Sequence, residues 1–213
     1  MNTRHINLWT STEHALSYLA TADTIPHRTE GESVLLEHVA QTVKRILDLG
    51  TGDGRLLALL KLDRPSASGI ALDFSPTMLE AAQSRFAEEP TVEVIAHNLN
   101  YPLPELGQFD AVVSSFAIHH LVNERKRSLY AEIFEVLEPG GIFCNLEHVA
   151  SPTQKLHKHF RRSIGLEHKN EDSSNILLDM ETQLRWFREI GFEDVDCYWK
   201  WLELALLVGI KPY

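Results

Sequence analysis

"RILDLGTGDGRLLALL", residues 45–60, sets three glycines at alternate positions, Gly50, Gly52 and Gly54, between two apolar runs. Glycine after a strand lets the backbone turn sharply and lets a ligand approach without meeting a Cβ. The helix start that follows offers unpaired N–H groups. Residues 46–49 read as a short buried strand, and 55–62, dense in Leu and without β-branched residues, as a helix. Strand, glycine turn and helix in this order suit a nucleotide-like ligand.

The same logic recurs downstream. "SGIALDF" (68–74) is a second buried strand ending in Asp73, placed to hold a ribose hydroxyl pair. Ser75 and Pro76 suit the N-cap and first position of a helix whose inner face carries Met78, Leu79, Ala82 and Phe86. "TVEVIAH" (91–97) and "FDAVVSSF" (109–116) are the third and fourth strands. Residues 124–141 predict a helix with a stripe of Leu129, Ile133, Phe134 and Leu137, ended by Pro139-Gly140-Gly141, and "IFCNLEHV" (142–149) follows as a fifth strand. Upstream, Val34, Leu35, His38, Val39 and Val43 at helical spacing predict a helix over 32–43.

Strands alternating with helices predict an α/β fold, a mostly parallel sheet covered on both faces. Residues 150–178 are longer and more polar than a plain crossover requires, and read as an insertion over the active face. A helix (180–191) and two strands (192–201 and 203–210) close the pattern, and their short link makes the strands antiparallel. Alternation puts Trp199 and Trp201 on one face of that hairpin, with Tyr198 and Lys200 opposite.

The 213 residues carry a net charge of -10, from 20 Lys plus Arg against 30 Asp plus Glu, which disfavours a nucleic-acid partner. Cys144 and Cys197 are far apart and form no C-x-x-C pair, signalling buried thiols in a reducing compartment rather than a metal site or a disulfide framework. The start has no signal-like apolar stretch, and "LELALLVGI" is too short to span a bilayer, so the expectation is a cytoplasmic protein without a membrane segment.

Asp48 lies two residues before the first glycine, too early for a ribose but placed to organise the loop or meet a ligand ammonium group. Arg55 stands where the dinucleotide fingerprint has its third glycine. An NAD(P)-dependent oxidoreductase shares the glycine turn and Asp73, but leaves Asp48, Arg55 and the closing hairpin unexplained.

"LDLGTGDG", "ALDFSPTML", "FDAVVSSFAIHHL" and "LEPGGIF", in this order over residues 45–147, resemble the succession of motifs in class I S-adenosylmethionine (SAM) dependent methyltransferases. The closing "LRWFREIGFEDVDCYWKW" resembles their small-molecule branch. The resemblance implies a Rossmann-like seven-stranded sheet, six strands parallel and one antiparallel, with SAM across the carboxyl ends of the first, second and fourth strands. It implies one domain over 1–213, built from an N-terminal helical cap (1–44), a SAM-binding core (45–149), a lid insertion (150–178) and a C-terminal helix and hairpin (179–213). A tRNA-modifying relative shares this layout, although the acidic charge argues against RNA.

Carried over by position, Gly50, Thr51 and Gly52 would face the methionyl part and ribose of SAM, with Gly54 closing the turn and Asp48 supporting the amino end. Asp73 would bind the ribose, with Phe74 and Met78 beside the adenine. Asn98, where the family commonly has Asp, would accept from the adenine amino group through its side-chain carbonyl, and Leu99 and Ser115 complete the cofactor set. The segment "YLATADTIPHRTEGE" is expected to fold over the cofactor, bringing Tyr18 or Arg28 toward the methionine carboxylate.

Methyl transfer from a sulfonium needs an in-line acceptor lone pair, an excluded solvent and, for a hydroxyl, protonated amine or acidic carbon, a base. His119 and His120 follow the fourth strand at the rim where the methyl group should sit, and Glu147, ending the fifth, is placed to support one of them. The base is therefore expected to be His119 or His120, with Glu147 as its partner and a small molecule as acceptor. His157 and His159 form H-x-H on a helix, which aims the two rings at different faces, so no metal is expected. "QKLHKHFRR" and the residues after it align Leu156, Phe160 and Ile164, with Lys155, Lys158, Arg161 and Arg162 around them. This reads as an amphipathic lid helix, or else as recognition of an anionic acceptor.

Overall fold

A computed structural model describes residues 8–20, 25–167 and 171–213. The parts of the expected cap at 1–7 and 21–24, and of the insertion at 168–170, lie outside the described residues.

Seven strands form one sheet: β1 (Arg45–Leu49), β2 (Ser68–Asp73), β3 (Val92–Ala96), β4 (Phe109–Ser115), β5 (Leu137–His148), β6 (Glu193–Trp201) and β7 (Leu204–Ile210). Their spatial order is β3-β2-β1-β4-β5-β7-β6. β1 to β5 pair in parallel, and β7 runs antiparallel to both β5 and β6, so six strands share a direction and one opposes them. The order reverses between β1 and β4, and a crevice opens at the carboxyl ends of the strands there.

Period-two alternation sends the side chains of each strand to two apolar layers. Leu47, Leu49, Val112 and Phe143 join the layer closed by α5 (Asn123–Val136) and α7 (Met180–Ile190). Ile46, Ala71, Val113, Cys144 and Leu206 join the layer closed by α2 (Arg28–His38), α3 (Arg55–Asp63) and Phe86 at the end of α4 (Pro76–Arg85). Cys144 is buried, Cys197 half-buried, and both thiols are free. No helix of the described residues is long and apolar enough to cross a membrane.

Three local expectations are corrected. The helix predicted over 32–43 runs instead from Arg28 to His38, because Arg28 and Glu32 pair one turn apart within it, 2.8 Å from Nε to Oε1. At its other end the Arg64 guanidinium takes the carbonyls of Leu36, Val39 and Ala40, and Val39 is already extended. The helix predicted over 124–141 stops at Val136, and Leu137 through Gly141 already belong to β5. A register shift against Phe109 and Ala111 absorbs the Pro-Gly-Gly run there. In β6 a bulge between Cys197 and Trp199 breaks the alternation at Tyr198, while Trp199 and Trp201 keep one face with Lys200 opposite as expected. Tyr198 consequently packs on His38 at 4.1 Å while Trp199 lies against Gly31, both on α2.

Before α2, α1 (Thr12–Leu19) follows a 3-10 turn over Leu8–Thr10, with Ser11 capping the His14 N–H. The insertion holds α6 (Gln154–Ser163), capped by Thr153, and an extended return whose Ile176 N–H donates to the His119 carbonyl at 2.9 Å. Phe160 is buried and Ile164 half-buried, whereas Leu156, expected on the same stripe, is exposed.

Candidate active site

At the carboxyl ends of β1, β2 and β4 a cavity of about 250 Å³ collects Asp48, Gly50, Thr51, Gly52, Asp73, Phe74, Met78, Asn98, Leu99, Ser115, Arg28 and His120. These positions are spread over roughly ninety residues of chain, and the parallel topology alone brings them together. Gly54, His119 and Glu147 do not line it.

The turn is built for close approach. Gly50, Gly52 and Gly54 all have positive φ, at 66°, 58° and 81°. A Cβ on Gly52 would meet nothing within 4 Å, so that backbone faces open space, the cradle a ligand needs. A Cβ on Gly50 would lie 2.2 Å from the Ala117 Cβ. Gly54 instead packs its α-carbon against the Phe86 ring and is the N-cap of α3, a structural role in place of the expected cofactor contact. Arg55, at the place of the missing third glycine, pairs with Glu32 on α2, 2.9 Å from Nε to Oε1. Gly50→Ala should weaken binding of the SAM product S-adenosylhomocysteine at least tenfold and lower Tm by a few degrees, measured by calorimetry and thermal melts, since strain at such positions costs about 1–3 kcal/mol.

Asp48 is buried, and its Oδ2 accepts from the Thr51 hydroxyl at 2.6 Å while Oδ1 has no partner. Burial first, and the nearby Asp73 charge among smaller causes, push its pKa up to about 7. A ligand ammonium would satisfy that orphan oxygen and keep the carboxylate charged, so the site fits the amino end of SAM. Asp73 accepts from the N–H groups of Gly52 (2.9 Å), Phe74 (2.8 Å) and Ser75 (2.9 Å). A carboxylate has about four acceptor positions, so three bonds leave one, on Oδ2, for a ribose hydroxyl. Burial raises its pKa, and the three N–H groups pull it back.

Met78 and Leu99 are buried apolar walls. Asn98 lines the cavity, but its Oδ1 accepts from both the N–H and the side-chain amide of Asn100, each at 3.0 Å. The Ser115 hydroxyl is buried without a partner. Arg28 donates from Nη1 to the Tyr18 hydroxyl at 3.3 Å and lies 5.6 Å from the centroid of the Phe116 ring. Phe116 itself holds a left-handed φ of 54°, an uncommon conformation for a bulky residue, directly after β4.

The two rim histidines diverge. His119 Nδ1 lies 2.6 Å from Glu147 Oε1, so Glu147 supports His119 and not His120. Burial, the His148 charge and Lys126 hold the His119 pKa well below the usual imidazole value, while burial pushes Glu147 up to about 7. His120 stacks on His119 at 4.0 Å and faces the cavity. Its Nε2 lies 3.0 Å from the Trp9 indole N–H and its Nδ1 3.2 Å from the Ser174 carbonyl. Lys126, buried on α5, donates to the carbonyls of Leu121 and Ile176, tying the rim turn to the insertion.

Sequence reasoning missed Trp9, Phe116, Lys126, Ser174 and Ile176. Trp9 and His120 are 111 residues apart, and no local pattern marks such a pair. His157 and His159 diverge as the H-x-H spacing implies. His157 sits between Glu203 (2.9 Å) and Glu171 (3.0 Å), and Glu203 also takes His148 at 2.9 Å. These groups border a second cavity under α6. Among the described residues, no group of three or more His, Cys, Asp or Glu side chains is arranged to hold a metal. Arg161 donates to the Leu166 carbonyl and Arg162 to Glu167.

Residues 46–141 match the family described as "Methyltransferase domain". A demethylmenaquinone methyltransferase of Clavibacter sepedonicus is 31% identical over 173 residues, 72% of this chain and 67% of that protein. One of Thermus thermophilus is 40% identical over 112 residues, 51% of this chain, and the match spans about half of that relative, 49%. An O-methyltransferase family protein from Burkholderia thailandensis superposes with a TM-score of 0.76 at 19% identity, over 96% of this chain and 61% of that one, and so shares the fold. On motifs, fold and relatives together, the chain belongs to the class I S-adenosylmethionine-dependent methyltransferases.

Proposed function

We propose that this chain transfers a methyl group from SAM to a small-molecule acceptor, as a single domain in which residues 45–149 hold the cofactor and the segments before and after close over it. The observation that carries the reading is the Asp48–Gly52–Asp73 triangle, a buried carboxylate with one unpartnered oxygen, a bare backbone cradle and a second carboxylate, all lining one cavity. In this reading Asp48 takes the ammonium, Asp73 the ribose, and Met78 and Leu99 flank the adenine. Arg28 attracts the methionine carboxylate. SAM, when bound, supplies the electrophilic methyl group, and the chain supplies alignment and a dry pocket.

Beside the residues assigned to the cofactor, the cavity is walled mainly by Trp9, Tyr18, Phe116, Leu121, Val122 and Ile176. That lining favours a largely apolar, planar acceptor, in keeping with relatives named for demethylmenaquinone. Where the acceptor must lose a proton, the His119–Glu147 pair, which lies behind His120 and not in the cavity wall, takes it through a bridging water: Glu147 holds Nδ1–H, so Nε2 is the nitrogen His119 has to offer.

Calorimetric titration with SAM, S-adenosylhomocysteine and NAD tests the reading. Micromolar binding of the first two, without NAD, is expected. Binding of NAD alone would favour the oxidoreductase alternative, and a salt-dependent shift of tRNA in a gel the RNA-modifying one.

A further inference from the structure

The side chain of His120 lines the cavity and touches both segments that close it. An indole N–H only donates, so the 3.0 Å contact with Trp9 requires a lone pair on His120 Nε2. The proton of the neutral ring is then on Nδ1, where it meets the Ser174 carbonyl at 3.2 Å and the Ser174 hydroxyl at 3.1 Å. Trp9 belongs to the segment before α1 and Ser174 to the return of the insertion, and both line the cofactor cavity. Trp9 also packs edge-on against Tyr18 at 5.1 Å, and Tyr18 bonds Arg28, so the contact at His120 is linked through these rings to α1 and α2.

We propose that His120 is a positioning residue, a clasp that joins the N-terminal segment to the insertion across the cofactor cavity and that holds only while its imidazole is neutral. The inference rests on the cofactor reading above. Protonation would place an Nε2–H against the Trp9 N–H, two donors at hydrogen-bond distance, and the two segments would part.

The sign follows from the surroundings. Burial and the His119 charge lower the His120 pKa to about 3 when clasped, whereas a released, solvated imidazole returns toward about 6.5. Closure is thus fully present above about pH 6.5 and weakens about tenfold per pH unit as pH falls toward 3. The charged and titratable groups acting on His120 are His119 on its own turn, Glu147 on β5 and Asp172 on the insertion; His148 on β5 and Lys126 on α5 act on His119, and His14 on α1 lies against Asp172. His14 and Asp172, 3.7 Å apart, form a second link between α1 and the insertion.

Dissociation of S-adenosylhomocysteine, followed by stopped flow between pH 7.5 and 5, tests the clasp without an acceptor. Trp9→Phe keeps the ring and removes the donor. His120→Gln stays neutral and can still accept from Trp9. At pH 7.5 Trp9→Phe should release ligand at least tenfold faster than wild type, and the ratio should fall toward one at pH 5. Asp48 and Asp73 titrate in every variant and cancel in that ratio. His120→Gln should match wild type within about threefold at pH 7.5 and release more slowly than it at pH 5. Equal release by Trp9→Phe and wild type at pH 7.5, or an acid response in His120→Gln as steep as in wild type, would overturn the clasp alone. Absence of ligand binding in wild type would overturn the cofactor reading and the clasp with it.

Discussion

Asp73→Ala should reduce affinity for SAM and S-adenosylhomocysteine by about a hundredfold or more while the chain still folds. A hydrogen bond to a charged group contributes about 1.5–3 kcal/mol, and each 1.4 kcal/mol is a factor of ten. The substitution removes the expected ribose acceptor and, at the same stroke, the anchor that holds Gly52 N–H at 2.9 Å, so the glycine cradle loses its shape as well. The N–H groups of Phe74 and Ser75 at the entry to α4 also lose their acceptor, and Tm should fall by several degrees. Asp73→Asn separates the two effects, since one side-chain carbonyl can keep the α4 entry while the charge is gone. Calorimetry and melting on the pair read them independently. Wild-type affinity in Asp73→Ala would sink the assignment of this carboxylate.

His119→Ala should lower turnover by about 10² to 10⁴, the usual contribution of a positioned acid or base, with S-adenosylhomocysteine affinity changed by no more than about threefold. The pair it belongs to also sets a pH dependence. Burial raises the Glu147 pKa to about 7, so its carboxylate accepts from His119 Nδ1–H above that value; as pH falls through it the protonated carboxyl donates to Nδ1 instead, the ring proton sits on Nε2 and the basic lone pair there is lost. Wild-type kcat should therefore fall on the acid side of about pH 7, and Glu147→Gln should be slow at every pH and lack that limb. Unchanged turnover in His119→Ala, with cofactor binding intact, would mean that alignment alone drives the transfer.

The parts legible in the sequence were those in which one element carries its own signal. The glycine turn at 50–54, the acid ending β2 and the alternation of strands and helices each rest on local backbone or period constraints. The direction of β7 also followed from its short link to β6. What escaped depends on partners distant along the chain. α2 ends where Arg64 reaches its carbonyls, and nothing in 32–43 announces that. Glu147 could be matched to the rim histidines, but which of the two it holds is decided by the turn over Ile118–His120, which sets His119 on Glu147 and His120 in the cavity wall. Gly54 looked equivalent to Gly50 and Gly52 in the string, yet only packing against Phe86 distinguishes it.

The place of β7 has a consequence for how the molecule is made. β7 follows β6 in the chain but lies inside it in the sheet, between β5 and β6. When β6 emerges during synthesis, the growing sheet offers it no neighbour, because the strand that must stand between them does not yet exist. The two therefore join as a ready-made hairpin, bridging back to a partner more than fifty residues upstream. Such distant pairing pays its loop-closure entropy before any contact rewards it, so the hairpin has to form locally before it docks. Until then, β5 lacks the neighbour that completes its pairing on that side.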